Sequence, residues 1–197
     1  MTSILIAGVG GQGTLLASRI LGNVALKKGF DVKVSEVHGM SQRGGSVLTY
    51  VRFSETEVFS PIIDEGGADI LLAFEELEAA RAVNYLKKGG LAIVSAQRIN
   101  PLPVTTGVAE YPENSLEIIR SKSAEVVSVD ALGIAKEAGN VKTVNVALIG
   151  VLASSVDVGI TKEEWLDTLT ETIPERLLEV NLKAFELGYD HKNYKKL

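Results

Sequence analysis

The sequence predicts an α/β fold with an open, mostly parallel Rossmann-like sheet, helices on both faces and a helical C-terminal cap. Three observations predict this fold. Short apolar runs typical of buried strands alternate with amphipathic segments through the first two thirds of the chain. The first of these runs ends in a glycine-rich turn that leads into a helical pattern. In the last third, strand patterns stop and helical patterns follow one another.

The first strand, turn and helix are the clearest elements. Residues 4–7 are apolar and contain no turn residue, and residues 15–24 repeat apolar side chains at helical spacing. Lys27 and then Gly29 follow, as is typical of a helix C-terminus. The apolar run at 32–37 predicts the next strand, which completes a βαβ unit if it pairs parallel to the first.

The same patterns predict the elements that follow. The side chains of residues 47–53 alternate between two faces, which predicts a strand near a sheet edge with one face partly exposed to solvent. Further strands are predicted at 70–74, 91–95 and 125–129. Helices are predicted at 77–90, closing on Gly89, at 115–122, and from an Asp130 cap to Gly139. Residues 100–111 are predicted as a loop with room for one short strand.

The C-terminal third is predicted to be helical. Residues 144–153 are apolar nearly all round, which suits a helix buried against the sheet or against another subunit. Capping boxes are predicted at Thr161 with Glu164 and at Thr172 with Glu175. Gly188 is expected to end the last helix, and Trp165 and Tyr189 are expected to be packing residues.

The length and the net charge limit the classes of protein to which the chain can belong. The 197 residues, 46% of them hydrophobic, can bury one core and favour a single domain over 1–197, with a sheet-containing part at 1–142 and a helical part at 143–197. The net charge of −5 gives no reason to expect nucleic acid as a partner. No apolar run reaches the roughly 18 residues of a membrane span. Without a positively charged signal region at the N-terminus, a cytoplasmic protein is expected.

The absence of cysteine excludes whole classes of chemistry from this chain. With no thiolate there is no disulfide, cysteine-ligated iron–sulfur cluster, zinc ribbon or cysteine nucleophile. The two histidines, His38 and His191, disfavour a multi-histidine metal site, although carboxylates remain able to bind magnesium. Any iron–sulfur cofactor must therefore belong to a partner.

The glycine turn is the first candidate site. Gly8, Gly10 and Gly13 match the dinucleotide-binding fingerprint in its strand–turn–helix context. Glu36 stands near the position of the acid that binds ribose in such sites. The same turn is also needed merely to pack a helix closely on a strand, so a ligand-binding turn and a purely structural turn are both open.

A second candidate follows the second strand, in the stretch HGMSQRGGS at 38–46. Since the carboxyl ends of parallel strands share one edge, this loop is expected to lie beside the glycine turn. Arg43 next to Gly44 and Gly45 suits a phosphate or carboxylate. Composition alone favours the structural alternative, in which Arg43 pairs with Glu36 or another local acid. The carboxylates after residue 74 are assigned a helical ion pair, Glu78 with Arg81.

Five stretches together resemble the gamma-domain family of 2-oxoacid:ferredoxin oxidoreductases. They are GVGGQGT at 8–14, EVHGMSQRGGSV at 36–47, the Ser60-Pro61 turn, ADILLAFEELEAAR at 68–81 and NVALIGVLASS at 145–155. The resemblance runs nearly end to end and is greatest to the members that act on indolepyruvate. The stretch HGMSQRGGSV is far more specific than the glycine turn.

The resemblance implies a function that the spacing alone does not. Complexes of this family oxidatively decarboxylate aryl 2-oxoacids such as indolepyruvate, pass electrons to ferredoxin and form the acyl-CoA. Thiamine diphosphate and the iron–sulfur clusters are held by a larger alpha subunit. This chain would be the smaller subunit, inactive alone and without catalytic or metal-ligating residues, docking beside the thiamine site and binding coenzyme A or shaping the substrate channel.

The candidate site therefore combines the two loops, as surfaces that face an anion, coenzyme A or the substrate. Its residues are Gly8, Gly10, Gly11, Gln12, Gly13, His38, Ser41, Gln42, Arg43, Gly44 and Gly45. Three alternatives stay open: a subunit for pyruvate or 2-oxoisovalerate in the same superfamily, a free-standing NAD- or FAD-binding module, and an adenylating enzyme of the ubiquitin-activating type. ATP–pyrophosphate exchange would identify the last of these.

Overall fold

A single sheet with helices on both faces forms the protein in a computed structural model that describes residues 1–39, 44–122, 125–190 and 195–196. Its strands are β1 (Thr2–Val9), β2 (Asp31–His38), β3 (Ser46–Ser54), β4 (Ala68–Ala73), β5 (Leu86–Ser95), β6 (Glu125–Val129) and β7 (Lys195–Lys196). Its helices are α1 (Thr14–Lys27), α2 (Glu76–Ala82), α3 (Leu102–Thr105), α4 (Ser115–Lys122), α5 (Ala131–Ala138), α6 (Val144–Ser155), α7 (Lys162–Thr172) and α8 (Glu175–Tyr189). No helix in these ranges is long and apolar enough to cross a membrane.

The sheet has the order β2-β3-β1-β4-β5-β6-β7. Strands β1, β4, β5 and β6 pair parallel, while β3 runs antiparallel between β1 and β2. Strand β2 therefore has the direction of β1 but does not pair with it. The predicted α/β class is confirmed, but the simple βαβ unit is not formed, because the short link between β2 and β3 favours an antiparallel pair.

The two faces of the sheet bury separate cores. Ile4 and Ile6 of β1 belong to the larger core, which also takes side chains from α1, α5, α6, α7 and α8. Leu5 and Ala7, on the opposite face, belong to the smaller core with side chains from α2 and α4. Alternate residues of β1 thus point to opposite faces of the sheet, as expected for a strand that helices cover on both faces.

Helix α6 is buried on all sides, as its apolar sequence predicts. Every residue from Val144 to Leu152 is buried, and the covering elements come from this chain, with α8 and α5 against it. Gly188 does not end α8, which continues to Tyr189. Instead, Gly188 lies where α6 and α8 cross, since a Cβ atom there would collide with the carbonyl oxygen of Ala147.

Three other predictions of local structure are wrong. The helix predicted at 77–90 stops at Ala82, and after a 3₁₀ turn β5 begins at Leu86 because this segment pairs with β4. The segment 100–111 contains the short helix α3 rather than a strand. Thr172 ends α7 and accepts a hydrogen bond from Asn23 at 3.1 Å, so it does not cap α8.

The predicted caps elsewhere are confirmed. Asp130 accepts a hydrogen bond from the Gly133 amide at 2.8 Å, and Gly139 ends α5 in the left-handed conformation. Thr161 and Glu164 form both bonds of a capping box. Strand β7, which pairs antiparallel with β6, is not predicted from the sequence.

Candidate functional site

The glycine turn lies at the carboxyl edge of the sheet, between β1 and α1. Gly11 and Gly13 have φ values of 103° and 84°, a conformation that side chains disfavour. A Cβ atom on Gly13 would also lie 2.5 Å from the Nδ2 atom of Asn145. No side chain caps α1, whose N-cap residue is Gly13. The backbone conformation therefore requires glycine at Gly11 and Gly13.

The predicted contact between the two loops is confirmed for their described parts. The Gly10 amide donates to the Gly45 carbonyl at 2.8 Å, and the Gly44 amide donates to the Gly10 carbonyl at 3.3 Å. Beyond this pair, the Ser46 hydroxyl donates to the Glu78 carboxylate. Three predicted site residues, Ser41, Gln42 and Arg43, lie outside the described residues.

A first cleft of about 460 Å³ opens between the two loops. It is lined by Gly10, Gly11, Gly13, Thr14, Leu15, Glu36, His38 and Val47. The Oε2 atom of Glu36 accepts hydrogen bonds from the hydroxyls of Thr14 at 3.3 Å and Thr49 at 3.1 Å. This places a carboxylate beside the N-terminus of α1, where the helix dipole favours negative charge.

Gln12 is predicted to lie in a ligand-facing loop, but its side chain makes hydrogen bonds within the protein. Its Oε1 atom accepts from the Val9 amide at 2.7 Å, and its Nε2 atom donates to the Phe74 carbonyl at 3.0 Å and to the Oε1 atom of Gln97 at 3.4 Å. One carboxamide thus joins the carboxyl ends of β1, β4 and β5. The protein itself occupies the hydrogen-bonding groups of Gln12.

A second cleft of about 450 Å³ lies on the other side of the glycine turn. It is lined by Gly11, Gln12, Gly13, Gln97, Leu132, Val141, Lys142 and Val144. Lys142 supplies a cationic side chain here, whereas the described lining of the first cleft carries the Glu36 carboxylate. The turn therefore separates two clefts of different electrostatic character.

The sequence does not predict the contact that Asn145, in α6, makes with the glycine turn. Its side chain is 3% exposed, and its Nδ2 atom donates to the Gly13 carbonyl at 3.2 Å. The only sequence signal is an amide inside a helix that is otherwise apolar from residue 144 to 153.

Three buried carboxylates follow β4 and fix the neighbouring loop. The predicted ion pair of Glu78 with Arg81 is confirmed at 2.6 Å. Glu75 caps α2 and accepts from the Tyr111 hydroxyl at 2.5 Å, while Glu76 receives two bonds from Arg98. Burial, followed by the hydrogen bond to Glu75, raises the pKa of Tyr111, so its phenol stays protonated as a donor.

No set of three or more His, Asp or Glu side chains suited to a metal ion occurs within the described ranges. The predicted packing roles of Trp165 and Tyr189 are confirmed, since both rings lie against Phe185. The described part of the site offers backbone groups, an amide network and two clefts, which can bind and orient a ligand.

Comparisons with known proteins identify the family. Residues 3–191 match the family described as Pyruvate ferredoxin/flavodoxin oxidoreductase. Indolepyruvate oxidoreductase subunit IorB of Pyrococcus horikoshii is 46% identical over 189 residues, and that of Thermococcus kodakarensis is 44% identical, each match covering 94% of this chain and 93% of the relative. The gamma subunit of a keto/oxoacid ferredoxin oxidoreductase from Geobacter sulfurreducens has the same fold, with a TM-score of 0.71, 24% identity and 96% coverage of both chains. The chain therefore belongs to the pyruvate ferredoxin/flavodoxin oxidoreductase family.

Proposed function

We propose that this chain is the small subunit of an indolepyruvate:ferredoxin oxidoreductase. The reaction consumes an arylpyruvate and coenzyme A, releases carbon dioxide, forms the acyl-CoA and reduces ferredoxin. The observation that carries the proposal is the identity of 44–46% to two indolepyruvate oxidoreductase subunits along nearly the whole chain. The geometry supports it, because the two loops that carry the resemblance meet at one edge of the sheet.

The proposal divides the chemistry between two subunits. This chain has no cysteine to ligate an iron–sulfur cluster, and its described part offers no set of side chains that suits a metal ion. As the family resemblance implies, thiamine diphosphate and the clusters are assigned to a larger alpha subunit, with ferredoxin as the acceptor of the complex. This chain would contribute binding and orientation at the edge where its two loops meet.

The site proposed for that contribution is the pair of loops at 8–13 and 38–45. Two kinds of anion are available in the reaction, the phosphates of coenzyme A and the carboxylate of the 2-oxoacid. The start of α1 has no side-chain cap, which supports a role for the glycine turn in receiving such an anion.

Reconstitution tests the proposed function. The chain purified alone is expected to be colourless and inactive, whereas co-expression with its larger partner should yield a stable hetero-oligomer. That complex should reduce ferredoxin only when coenzyme A and an arylpyruvate are both present. Faster turnover of pyruvate or 2-oxoisovalerate would favour a subunit for those acids. Turnover by the isolated chain would contradict the proposal.

Arg43→Ala tests the proposed site within the complex. Arg43 directly precedes Gly44, whose amide bonds the glycine turn, and an arginine contact with an anion contributes about 1.5–3 kcal/mol. The Michaelis constant for coenzyme A or for the 2-oxoacid should therefore rise about tenfold to a hundredfold. Arg43→Lys should recover part of the loss. Unchanged constants in an intact complex would remove Arg43 from the site.

A free-standing NAD- or FAD-binding module is the second candidate, favoured by one observation. Glu36 and the glycine turn line the same cleft, as an acid and a turn do in dinucleotide sites. However, the Oε2 atom of Glu36 already accepts hydrogen bonds from Thr14 and Thr49. Saturable nicotinamide or flavin binding by the isolated chain would favour this module.

A further inference from the structure

Residues 98–113, which we call the arm, leave the fold after the carboxyl end of β5 and end just before α4. None of the four residues of α3, near the middle of the arm, is buried. Leu102 is 73% exposed and Val108 is 81% exposed, which places both among the most exposed large apolar side chains of the described residues. The tip of the arm, formed by these two residues, therefore adds no side chain to either core.

The tip nevertheless has a defined local structure. The Gly107 amide donates to the Val104 carbonyl at 3.1 Å, and the Val108 amide donates to the Pro103 carbonyl at 2.8 Å. With Gly107 at a φ of 74°, these two bonds form a Schellman motif at the end of α3. This motif brings the residue after the glycine back toward the start of such a short helix. Val108 and Leu102 therefore belong to one exposed apolar patch.

Two buried carboxylates hold the base of the arm. Glu76 accepts two hydrogen bonds from the Arg98 guanidinium, at 3.0 Å and 3.2 Å. Glu75 accepts from the Tyr111 hydroxyl at 2.5 Å and from the Ile99 amide at 3.0 Å. Burying a carboxylate costs free energy unless it is well partnered, and these partners come from the two ends of the arm. The protein thus fixes both ends of a segment whose apolar tip is left exposed.

The position and the charge of the arm limit the partner that could cover its tip. Gln97, the residue before the arm, lines the second cleft together with Gly13, so the arm begins at the edge of the sheet that carries the candidate site. Glu110 and Glu113 follow the tip, and Arg98, the only cation in the sequence of the arm, is bonded to carboxylates. Such a surface fits an apolar pocket with lysine or arginine at its rim.

A relative supports a protein neighbour for this unit. Ketoisovalerate oxidoreductase subunit VorA of Methanothermobacter marburgensis is 27% identical over 189 residues, which cover 95% of this chain and 36% of the relative. In that protein the corresponding unit is continuous with further polypeptide. For a separate chain, the larger subunit of the proposed complex is the matching neighbour.

We propose that the arm is a preformed docking element, whose apolar tip inserts into an apolar pocket with a cationic rim on the larger subunit. This inference rests on the proposed function, which supplies that subunit. A segment that is ordered before binding loses little conformational entropy on association, which favours a stable complex. The buried carboxylates provide that order.

Leu102→Asn tests the docking element in the full chain. The variant is titrated into the larger subunit, and the dissociation constant is measured. A polar side chain in an apolar pocket should raise this constant about tenfold or more. The melting temperature of the isolated chain should stay unchanged, because Leu102 is exposed. Hydrogen exchange at residues 102–109 of the unaltered chain should slow when the complex forms.

Phe59→Asn is the matched control. Phe59 is also apolar and is 87% exposed, but it lies in the loop between β3 and β4, at the opposite edge of the sheet. This variant should bind the larger subunit as tightly as the unaltered chain.

Three outcomes would contradict the inference. Binding of Leu102→Asn at the original affinity, with unchanged hydrogen exchange in the arm, would overturn it and leave the proposed function standing. Self-association of the isolated chain that Leu102→Asn abolishes would assign the tip to a second copy instead. If the unaltered chain does not bind the larger subunit, the inference and the proposed function both fail.

Discussion

Gly188→Ala is expected to lower the free energy of unfolding by about 3 kcal/mol or more, the upper end of the usual cost of overpacking. The added methyl group would meet the carbonyl oxygen of Ala147 across the crossing of α6 and α8. Gly150 of α6 lies equally close to the backbone of α8. A Cβ atom there would collide with the Phe185 carbonyl and lie 2.9 Å from the Tyr189 amide. Because backbone faces backbone on both sides, no side chain can move aside. The two helices must separate, which opens the larger core.

Gly22→Ala provides the matched control for urea unfolding followed by circular dichroism. Gly22 is also a buried helical glycine, but its added Cβ atom would make ordinary contacts of 3.6 Å and 3.7 Å with Val34 and Val32. That variant should be as stable as the unaltered chain, or more stable by about 1 kcal/mol, because alanine favours the helix. A Gly188→Ala chain within about 0.5 kcal/mol of the original would show that the crossing has room for a methyl group.

Gln12→Ala is expected to lower the free energy of unfolding by about 3 kcal/mol, at about 1 kcal/mol for each of its three hydrogen bonds. The truncation leaves the Val9 amide and the Phe74 carbonyl without the partners that join the ends of β1 and β4. The glycine turn then loses the side-chain hydrogen bonds that hold it against the ends of these strands. We therefore expect a fall in catalytic efficiency of the complex as well as in stability.

Gln97→Ala is the control for this change. Gln97 lines the same cleft as Gln12, and its substitution removes only the longest of the three hydrogen bonds, at 3.4 Å. Its cost should be below about 1 kcal/mol. Equal losses from both variants in chemical unfolding would mean that Gln12 does not join the strands as described. In that case Gln12 would return to the set of residues available to a ligand.

The candidate site was predictable in outline and not in detail. The meeting of the two loops is predicted from a parallel pair of strands, but in the structure Gly44 and Gly45 meet Gly10 because the antiparallel ladder of β1 and β3 continues into the two loops. Gln12 and Asn145 show the limit of that reasoning. Gln12 bonds Phe74 across 62 residues, and Asn145 bonds Gly13 across 132 residues. No local pattern identifies partners at such distances in the chain, and neither side chain could be given its role from the sequence.

The sequence by itself determined what local chemistry controls: the strand and helix periods, the caps at Asp130 and Thr161, and the absence of any thiolate ligand. Tertiary structure alone decided that β3 lies between β1 and β2, and that Gly188 serves a helix crossing instead of a helix end. The physical reason is range. Periods and caps act within about four residues, so they are readable along the chain. Strand order and close packing depend on which distant surfaces meet, and those contacts exist only in the folded protein.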